Sequence, residues 1–499
     1  MKVKLNRQIL LLSLLAIIIF FGLRLFYLNT LPVFVDEAIY VRWSQVMKNE
    51  PTLRFLPQSD GKQPLFMWSV MPALKFIADP LVAGRLISVL SGFFTLIGVG
   101  VFAYLLSNSL LTGIAGSLVY SLAPFTVFFD RMALVDSMLA MFGVWSLVAG
   151  LLFIRTRRAD LAMILGFVLG GGLLTKSPAI FFYAWQVILA LFFYFPLLKK
   201  KTVDHTKLIG GWLLAFIISQ AMYAILKLGP GSHLIGSRNL DYVYSFKEVF
   251  THPLVPLIAN LQTSIDWYLA LLTLPVLFLA VFGLFTKLRF PFFALLCLSL
   301  LPLLAQGAIA KVYTSRYILF TTLPVITAAG LGLGVILAER KLRIFGLFLL
   351  VVPLFYSFLY AYHPEKAHMP YDMHTGYLEE WTAGTGQREV AAYLINEARK
   401  GHKIVVGTDG YFGTLPDGLQ IYTQNYPEIT VIGTGVMFDK VPLPLANSSP
   451  DNQIYFLLNR SRNLLPESEL AKLTLINSYD KSPRSDETHE TLQFFRLNK

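Results

Sequence analysis

The sequence predicts a multi-span α-helical membrane protein that carries a soluble α/β domain after its last span. Of 499 residues, 55% are apolar and 14% charged, with a mean hydropathy of +0.59, more than the core of a soluble domain absorbs. Apolar runs of bilayer-spanning length recur as far as residue 362, and the composition then turns ordinary. The excess of basic residues, a net charge of +12, punctuates these runs instead of gathering on a solvated face beside base-stacking aromatics. That pattern reads as membrane topology and argues against nucleic acid as a partner. The single cysteine, Cys297, lies inside an apolar run, which rules out an intrachain disulfide or a cysteine-based metal site.

The first run, Ile9 to Leu28, follows Lys2, Lys4 and Arg7 and carries one charge, Arg24. Its length matches a bilayer core, whereas a cleaved signal peptide would be shorter and end at small residues. Further runs lie near 81–106, 110–129, 132–154, 161–178, 179–198, 208–228, 266–285, 291–310, 317–338 and 344–362, giving about eleven spans. The break between 161–178 and 179–198 is Thr175-Lys176-Ser177-Pro178, where Pro178 marks a helix boundary. A cytoplasmic N-terminus places Arg155, Arg157 and Arg158, then Lys199–Lys201 with Lys207, then Lys287 and Arg289, then Arg340, Lys341 and Arg343 on the cytoplasmic side. The opposite side receives the loop 29–80, the turns near Arg131, Lys176 and Lys311, the segment 229–265 and everything after Tyr362.

The expected organisation is therefore a multi-pass cell-membrane domain over 1–362, with its first extracytoplasmic loop at 29–80, and an extracytoplasmic α/β domain over 363–499. In the latter, the pattern predicts a helix over Arg388–Lys400 and strands at Lys403–Thr408, Ile429–Ile432, Gln453–Leu458 and Leu492–Leu497, with a turn-rich Asp409–Gly418. Gly407-Thr408-Asp409-Gly410 and Gly433-Thr434-Gly435 lack the spacing of a phosphate loop and read as turns after strands. The sequons at Asn447 and Asn459 are short enough to arise by chance. No internal repeat or low-complexity tract is present.

Chemistry concentrates on the face opposite the basic loops. Asp36 and Glu37 follow the first span closely, which holds two carboxylates near the layer where a lipid phosphate lies. A carboxylate there can take the proton of a hydroxyl or amine that attacks an anomeric carbon as phosphate leaves. The same pair also suits the start of the amphipathic helix implied by Ile39, Trp43 and Val46. Lys62 precedes the apolar, aromatic Pro64–Trp68 and can hold a phosphate as a point charge or snorkel to headgroups. In Asp130–Asp136, a continuous helix would set the two aspartates about 9 Å apart along its axis. An ionisable group at that depth seeks a cavity or a partner, and Arg131 is either that partner or a phosphate clamp. Lys176 and Arg316 add cations to the same face, each also serving as an interfacial anchor.

Together these residues resemble the GT-C membrane glycosyltransferases, in particular the branch with protein O-mannosyltransferases and lipid A aminoarabinose transferases. The carriers of the resemblance, in chain order, are Asp36-Glu37, Lys62-Gln63-Pro64-Leu65, Gly84-Arg85-Leu86, Arg131 with Asp136, Leu174-Thr175-Lys176-Ser177-Pro178 and Arg316-Tyr317. The resemblance implies a sugar donor linked to undecaprenyl or dolichyl phosphate, inversion at the anomeric carbon and a site facing away from the cytoplasm. It implies Asp36 as the base, Glu37 positioning the acceptor, Lys62 on the carrier phosphate, and Arg85, Arg131, Asp136, Lys176 and Arg316 binding or shaping around the donor. Ile39 stands where aminoarabinose transferases are expected to carry arginine, which disfavours that sugar, and the long insertion of eukaryotic protein mannosyltransferases is missing. The acceptor is a lipid, glycan or protein, membrane lipids are partners, no cofactor is called for, and a divalent metal is left open.

Two other classes compete. A transporter or flippase also uses many spans and intramembrane charge, but tends to show related halves and midplane broken helices. A membrane-anchored scaffold leaves the carboxylates unexplained.

Overall fold

The computed structural model describes residues 7–194, 205–252 and 254–498. Lys2 and Lys4 and the basic run Lys199–Lys201 lie outside the described residues. The chain divides into two compact units. The first comprises Met1–Tyr27, Leu53–Ser69 and Arg85–His368, and the second Leu28–Thr52, Val70–Gly84 and Met369–Lys499.

The first unit is helical. In chain order the helices are α1 (Arg7–Leu25), α2 (Val35–Asn49) of the second unit, α3 (Leu65–Ala73) and α4 (Pro80–Ser107), whose residues are divided between the units, and then α5 (Leu110–Leu122), α6 (Pro124–Asp130), α7 (Val135–Thr156) and α8 (Ala159–Thr175) of the first. Among the described residues, seven helical segments are long and apolar enough to cross a membrane: Pro80–Ser107, Val135–Thr156, Ser177–Tyr194, His205–Leu228, Arg289–Ile309, Ser315–Ala338 and Arg343–Tyr362. Two bent pairs would raise the number to nine, and two shorter apolar helices, Ile9–Leu25 and Ala159–Thr175, match the remaining apolar runs of the sequence.

Two of the expected spans are bent. The run 110–129 is folded by 64° between α5 and α6, and the run 266–285 by 100° between Leu254–Leu272 and Leu274–Phe285. Proline explains the first, because Ala123 precedes Pro124 and is forced out of the helical region to ψ 120°. At the second, Thr273 takes φ 71° and Pro275 opens the next helix. The helix carrying Asp130 also ends there and restarts at Val135, so Asp130 and Asp136 do not share the continuous helix that a 9 Å axial spacing assumes.

Small residues set how closely these helices approach. A Cβ placed on Gly330 would lie 2.3 Å from the Gly116 Cα, and one on Gly334 2.5 Å from the Thr112 hydroxyl. Helix Thr322–Ala338 thus packs backbone to backbone against α5. Gly330→Ala should cost about 1–3 kcal/mol through this overlap. Thermal unfolding in detergent checks it against Gly210→Ala, where nothing lies within 4 Å and stability should hold.

The second unit is built on a five-stranded sheet, β1 (Ile404–Asp409), β2 (Ile429–Gly435), β3 (Gln453–Asn459), β4 (Leu473–Asp480) and β5 (Thr491–Leu497), in the order β2-β1-β3-β5-β4. β1 runs parallel to β2 and β3, and β5 runs antiparallel to β3 and β4. Alternation along the strands divides the apolar residues between two cores. Val406, Tyr455 and Leu457 face one core with Val390 and Leu394 of helix Gln387–Arg399, whereas Phe456 and Leu458 face the other with Phe438 and Leu445. The predicted helix and four strands are present, and β4 is an addition: it is a largely exposed edge strand with little apolar signal. α2 also belongs to this unit, with the Arg42 guanidinium donating to Gln420 and Gln424 and Gln45 to the Ile421 carbonyl.

Candidate active site

In the first unit, a turn ending at Gly61 presents Lys62. Gly61 has φ +68°, and a Cβ there would meet the Arg238 side chain at 2.5 Å, so both conformation and space require glycine. The Lys62 ammonium lies 3.9 Å from the Asp60 carboxylate and 5.3 Å from the Tyr242 ring centroid. Next to it, Gln63 donates to the Ser177 hydroxyl at 2.8 Å, which ties this loop to the break after α8. Lys176 occupies that break because Pro178 prevents α8 from continuing. Its ammonium donates to Asp136 at 2.6 Å and sits 4.1 Å from the Tyr317 ring centroid. Lys62, Gln63, Lys176, Phe181 and Tyr317 line one cavity of about 290 Å³. The Arg316 guanidinium lies 5.3 Å from the Tyr317 ring and, like Lys62, adds positive potential at Lys176. Lys62, Lys176, Asp136 and Arg316 are therefore brought to one region.

Arg131 has a different place. It does not partner Asp136, whose carboxylate is held by Lys176. Its guanidinium donates to the backbone carbonyls of Leu23, Phe26, Tyr27 and Ala361 at 2.8–3.0 Å and is almost wholly buried. Four carbonyl acceptors make it a clasp between the end of α1 and helix Val351–Tyr362. Arg85 is fully enclosed on α4, near enough to Arg131 to repel its charge. The partner of Asp130 is Arg24, at 2.8 Å, both fully buried, with Tyr120 also donating to Asp130. A lone arginine in an apolar span was the signal for this pair, since such a residue needs a polar partner.

The candidate carboxylates belong to the second unit. Asp36 is half-buried in the first turn of α2, where the helix N-terminus favours negative charge. Glu37 is fully buried and accepts the Phe34 N–H at 3.0 Å, so it secures the helix start. The strand-like approach to that start is pinned by Val35 N–H donating to the Thr382 carbonyl at 3.1 Å and Gly384 N–H to the Val33 carbonyl at 2.8 Å.

Sequence reading missed a cluster of buried ions in this unit. At the end of β1, Asp409 accepts from the backbone and side-chain amides of Asn459 at 3.0 and 2.9 Å, and its second oxygen lies 3.6 Å from Arg462. Lys481 donates to the Asn459 side-chain oxygen at 2.7 Å and the Glu380 carbonyl at 3.0 Å. Asn459 is thereby engaged on both ends of its amide and 2% exposed, which disposes of its sequon as an accessible site. Burial pushes the Asp409 carboxyl up and the Lys481 ammonium down to about 8, against the attraction of Glu490 and Asp409. An unfolded lysine keeps its proton to above pH 10, so between pH 8 and 10 the unfolded chain binds more protons and stability rises with pH. Relative to Lys481→Met, the wild-type unit should gain at most about 3 kcal/mol from pH 7 to 10. Hydrogen exchange on β3 and β5, corrected for intrinsic rates, measures the gain; a flat difference would contradict it.

Comparison with known proteins shows what this helical membrane fold with a C-terminal α/β domain is similar to. Residues 58–228, about a third of the chain, match the family model of dolichyl-phosphate-mannose-protein mannosyltransferase. The fold is similar to ArnT from Cupriavidus metallidurans solved with undecaprenyl phosphate, with TM-score 0.56, 13% identity and 98% of each chain covered. It is also similar to the Archaeoglobus fulgidus oligosaccharyltransferase solved with zinc and sulfate, with TM-score 0.52 and 14% identity, covering 90% of this chain and 68% of that one. No curated protein matches the sequence. The chain is thus similar over about a third of its length to that family model and, in fold, to these two solved proteins.

Proposed function

We propose that the chain transfers a sugar, with inversion, from a polyprenyl-phosphate carrier to a lipid, glycan or protein acceptor on the extracytoplasmic side of the cell membrane. The observation that carries this reading is the cavity in which Lys62 and Lys176 face aromatic and apolar walls, which suits a phosphate at the head of an isoprenoid chain. The undecaprenyl phosphate bound by the ArnT of similar fold supports a carrier of that class. In the reaction, the acceptor oxygen or nitrogen bonds to the anomeric carbon and the bond from that carbon to the phosphate oxygen breaks. Asp36 takes the acceptor's proton and the phosphate keeps the electron pair. Lys62 holds the departing phosphate, while Lys176, oriented by Asp136, and Arg316 stabilise its growing charge. Glu37 acts through the loop that presents Asp36, and Arg85 and Arg131 maintain the surrounding helices. The short basic loops support a cytoplasmic N-terminus and an extracytoplasmic α/β domain.

Incubating the purified chain in nanodiscs with a panel of labelled polyprenyl-phosphate hexoses and pentoses, and with envelope lipids and glycans as acceptors, tests this. Transfer or release of one sugar supports the proposal. Absence of both from every donor, with movement of labelled lipid or solute across proteoliposomes, would replace it with a transporter.

A further inference from the structure

We propose that the second unit holds a carbohydrate subsite at the carboxyl ends of β1 and β3, which grips the saccharide portion of the acceptor; the inference rests on the glycosyl-transfer reading above. Its basis is topology. The connection leaving β1 sends Leu415 and Leu419 into the core on one face of the sheet, whereas those leaving β2 and β3 send Phe438, Leu445 and Leu465 into the core on the other. β1 and β3 are neighbours, so their outgoing chains part to opposite faces, the arrangement that leaves a crevice at the strand ends of open sheets. In open sheets with parallel strands such a switch point is the preferred ligand position.

The side chains there have the composition of a sugar site. Its floor is the buried set Asp409, Asn459 and Lys481, an ionic arrangement that costs desolvation and adds little stability over an apolar core. Arg462 connects floor to surface, near Asp409 on one side and stacked 4.4 Å over the Trp381 ring centroid on the other. The rim is aromatic and apolar. Tyr411 is 70% exposed, and Phe412, Met437 and Trp381 are also exposed. Backbone bonds fasten the rim, with Gly410 N–H donating to the Gly435 carbonyl, Phe438 N–H to the Arg462 carbonyl and Leu464 N–H to the Phe438 carbonyl. Flat rings for the C–H face of a pyranose, beside a planar guanidinium for its hydroxyls, suit a polyhydroxylated ligand.

Other occupants fit less well. A phosphate loop would need free backbone amides, but the Gly410 amide is spent on Gly435 and a carboxylate sits beside it. An added peptide strand would need a sheet edge, and the edges are β2 and β4. The crevice also adjoins the candidate base. Thr382, next to Trp381, accepts the N–H of Val35, next to Asp36, and Phe412 lies 5.7 Å from Trp43 on α2. A saccharide held on this rim is therefore delivered beside the helix start that presents Asp36.

The test uses the full chain in phosphatidylcholine nanodiscs, free of sugar-based detergent, and saturation-transfer difference NMR. The probes are the methyl glycosides of mannose, glucose, galactose and N-acetylglucosamine. At least one glycoside should give a signal that weakens tenfold or more in Tyr411→Ala and in Arg462→Gln and persists in Lys62→Met. The proposal is overturned if no glycoside binds, if binding survives both rim variants, or if only Lys62→Met removes it. It is likewise overturned if a fluorophore on Tyr411→Cys, in a Cys297→Ser background, is quenched by nitroxide lipid, which would make the rim a bilayer contact. Binding is read without donor. A chain that binds glycosides at the rim yet transfers no sugar would sink the transfer reading alone, and one that transfers with an unchanged acceptor KM in Tyr411→Ala would sink the subsite alone.

Discussion

Sugar transfer by the Asp36→Asn chain should fall by about a hundred- to ten-thousand-fold, while binding of the polyprenyl-phosphate carrier is unchanged. Asparagine fills the same volume at the start of α2 and keeps a polar group there, so the helix and its hydrogen bonds to the Thr382 and Gly384 segment should survive. What disappears is the ability to accept a proton as the acceptor attacks. The loss should appear in kcat with the donor KM nearly constant, as expected for an interaction made in the transition state. Parallel rates for wild type and variant over the same pH range would remove Asp36 from the reaction. Lys62→Met provides the contrast, because weaker carrier binding should raise the donor KM.

Arg24→Leu should destabilise the membrane unit by about 3–5 kcal/mol, the usual penalty for orphaning one member of a buried ion pair. Asp130 would keep Tyr120 as a donor but lose the guanidinium at 2.8 Å. The carbonyls of Tyr120 and Ser121 and the Thr126 hydroxyl would lose a donor as well. Arg24 also lies 4.2 Å from the Phe20 ring centroid, so packing goes with the charge. Denaturation in mixed micelles should show the midpoint falling for Arg24→Leu and recovering in part when Asp130→Asn is added. No recovery in the double variant would mean that packing, not the ion pair, holds α1 in place.

Much of the architecture was legible because hydropathy reports the length of an apolar element. The same property hid the bends at Ala123 and Thr273, since Pro124 and Pro275 add little to a hydropathy average while changing the direction of the chain. Asp36, Lys62 and Lys176 stood out as charges at the ends of apolar runs. Partnership was less legible: Arg131 looked like the companion of Asp136 by proximity in sequence, yet Lys176, 40 residues away, holds it. Likewise, Arg24 and Asp130 are 106 residues apart, and only the packing of α1 beside α5 and α6 joins them. The Asp409, Asn459 and Lys481 cluster depends on β1 and β3 being neighbours despite β2 lying between them in sequence. Local patterns do not encode that order.

The stitching of α2 into the second unit carries a consequence for biosynthesis. Arg42 and its partner Gln420 are 378 residues apart, so α2 is made long before the residues that anchor it exist. At about 5–20 residues per second, that separation amounts to roughly 20–75 seconds of translation. Throughout that interval the segment bearing Asp36 lacks its anchoring scaffold. The helix start that carries Asp36 is therefore made early and secured late.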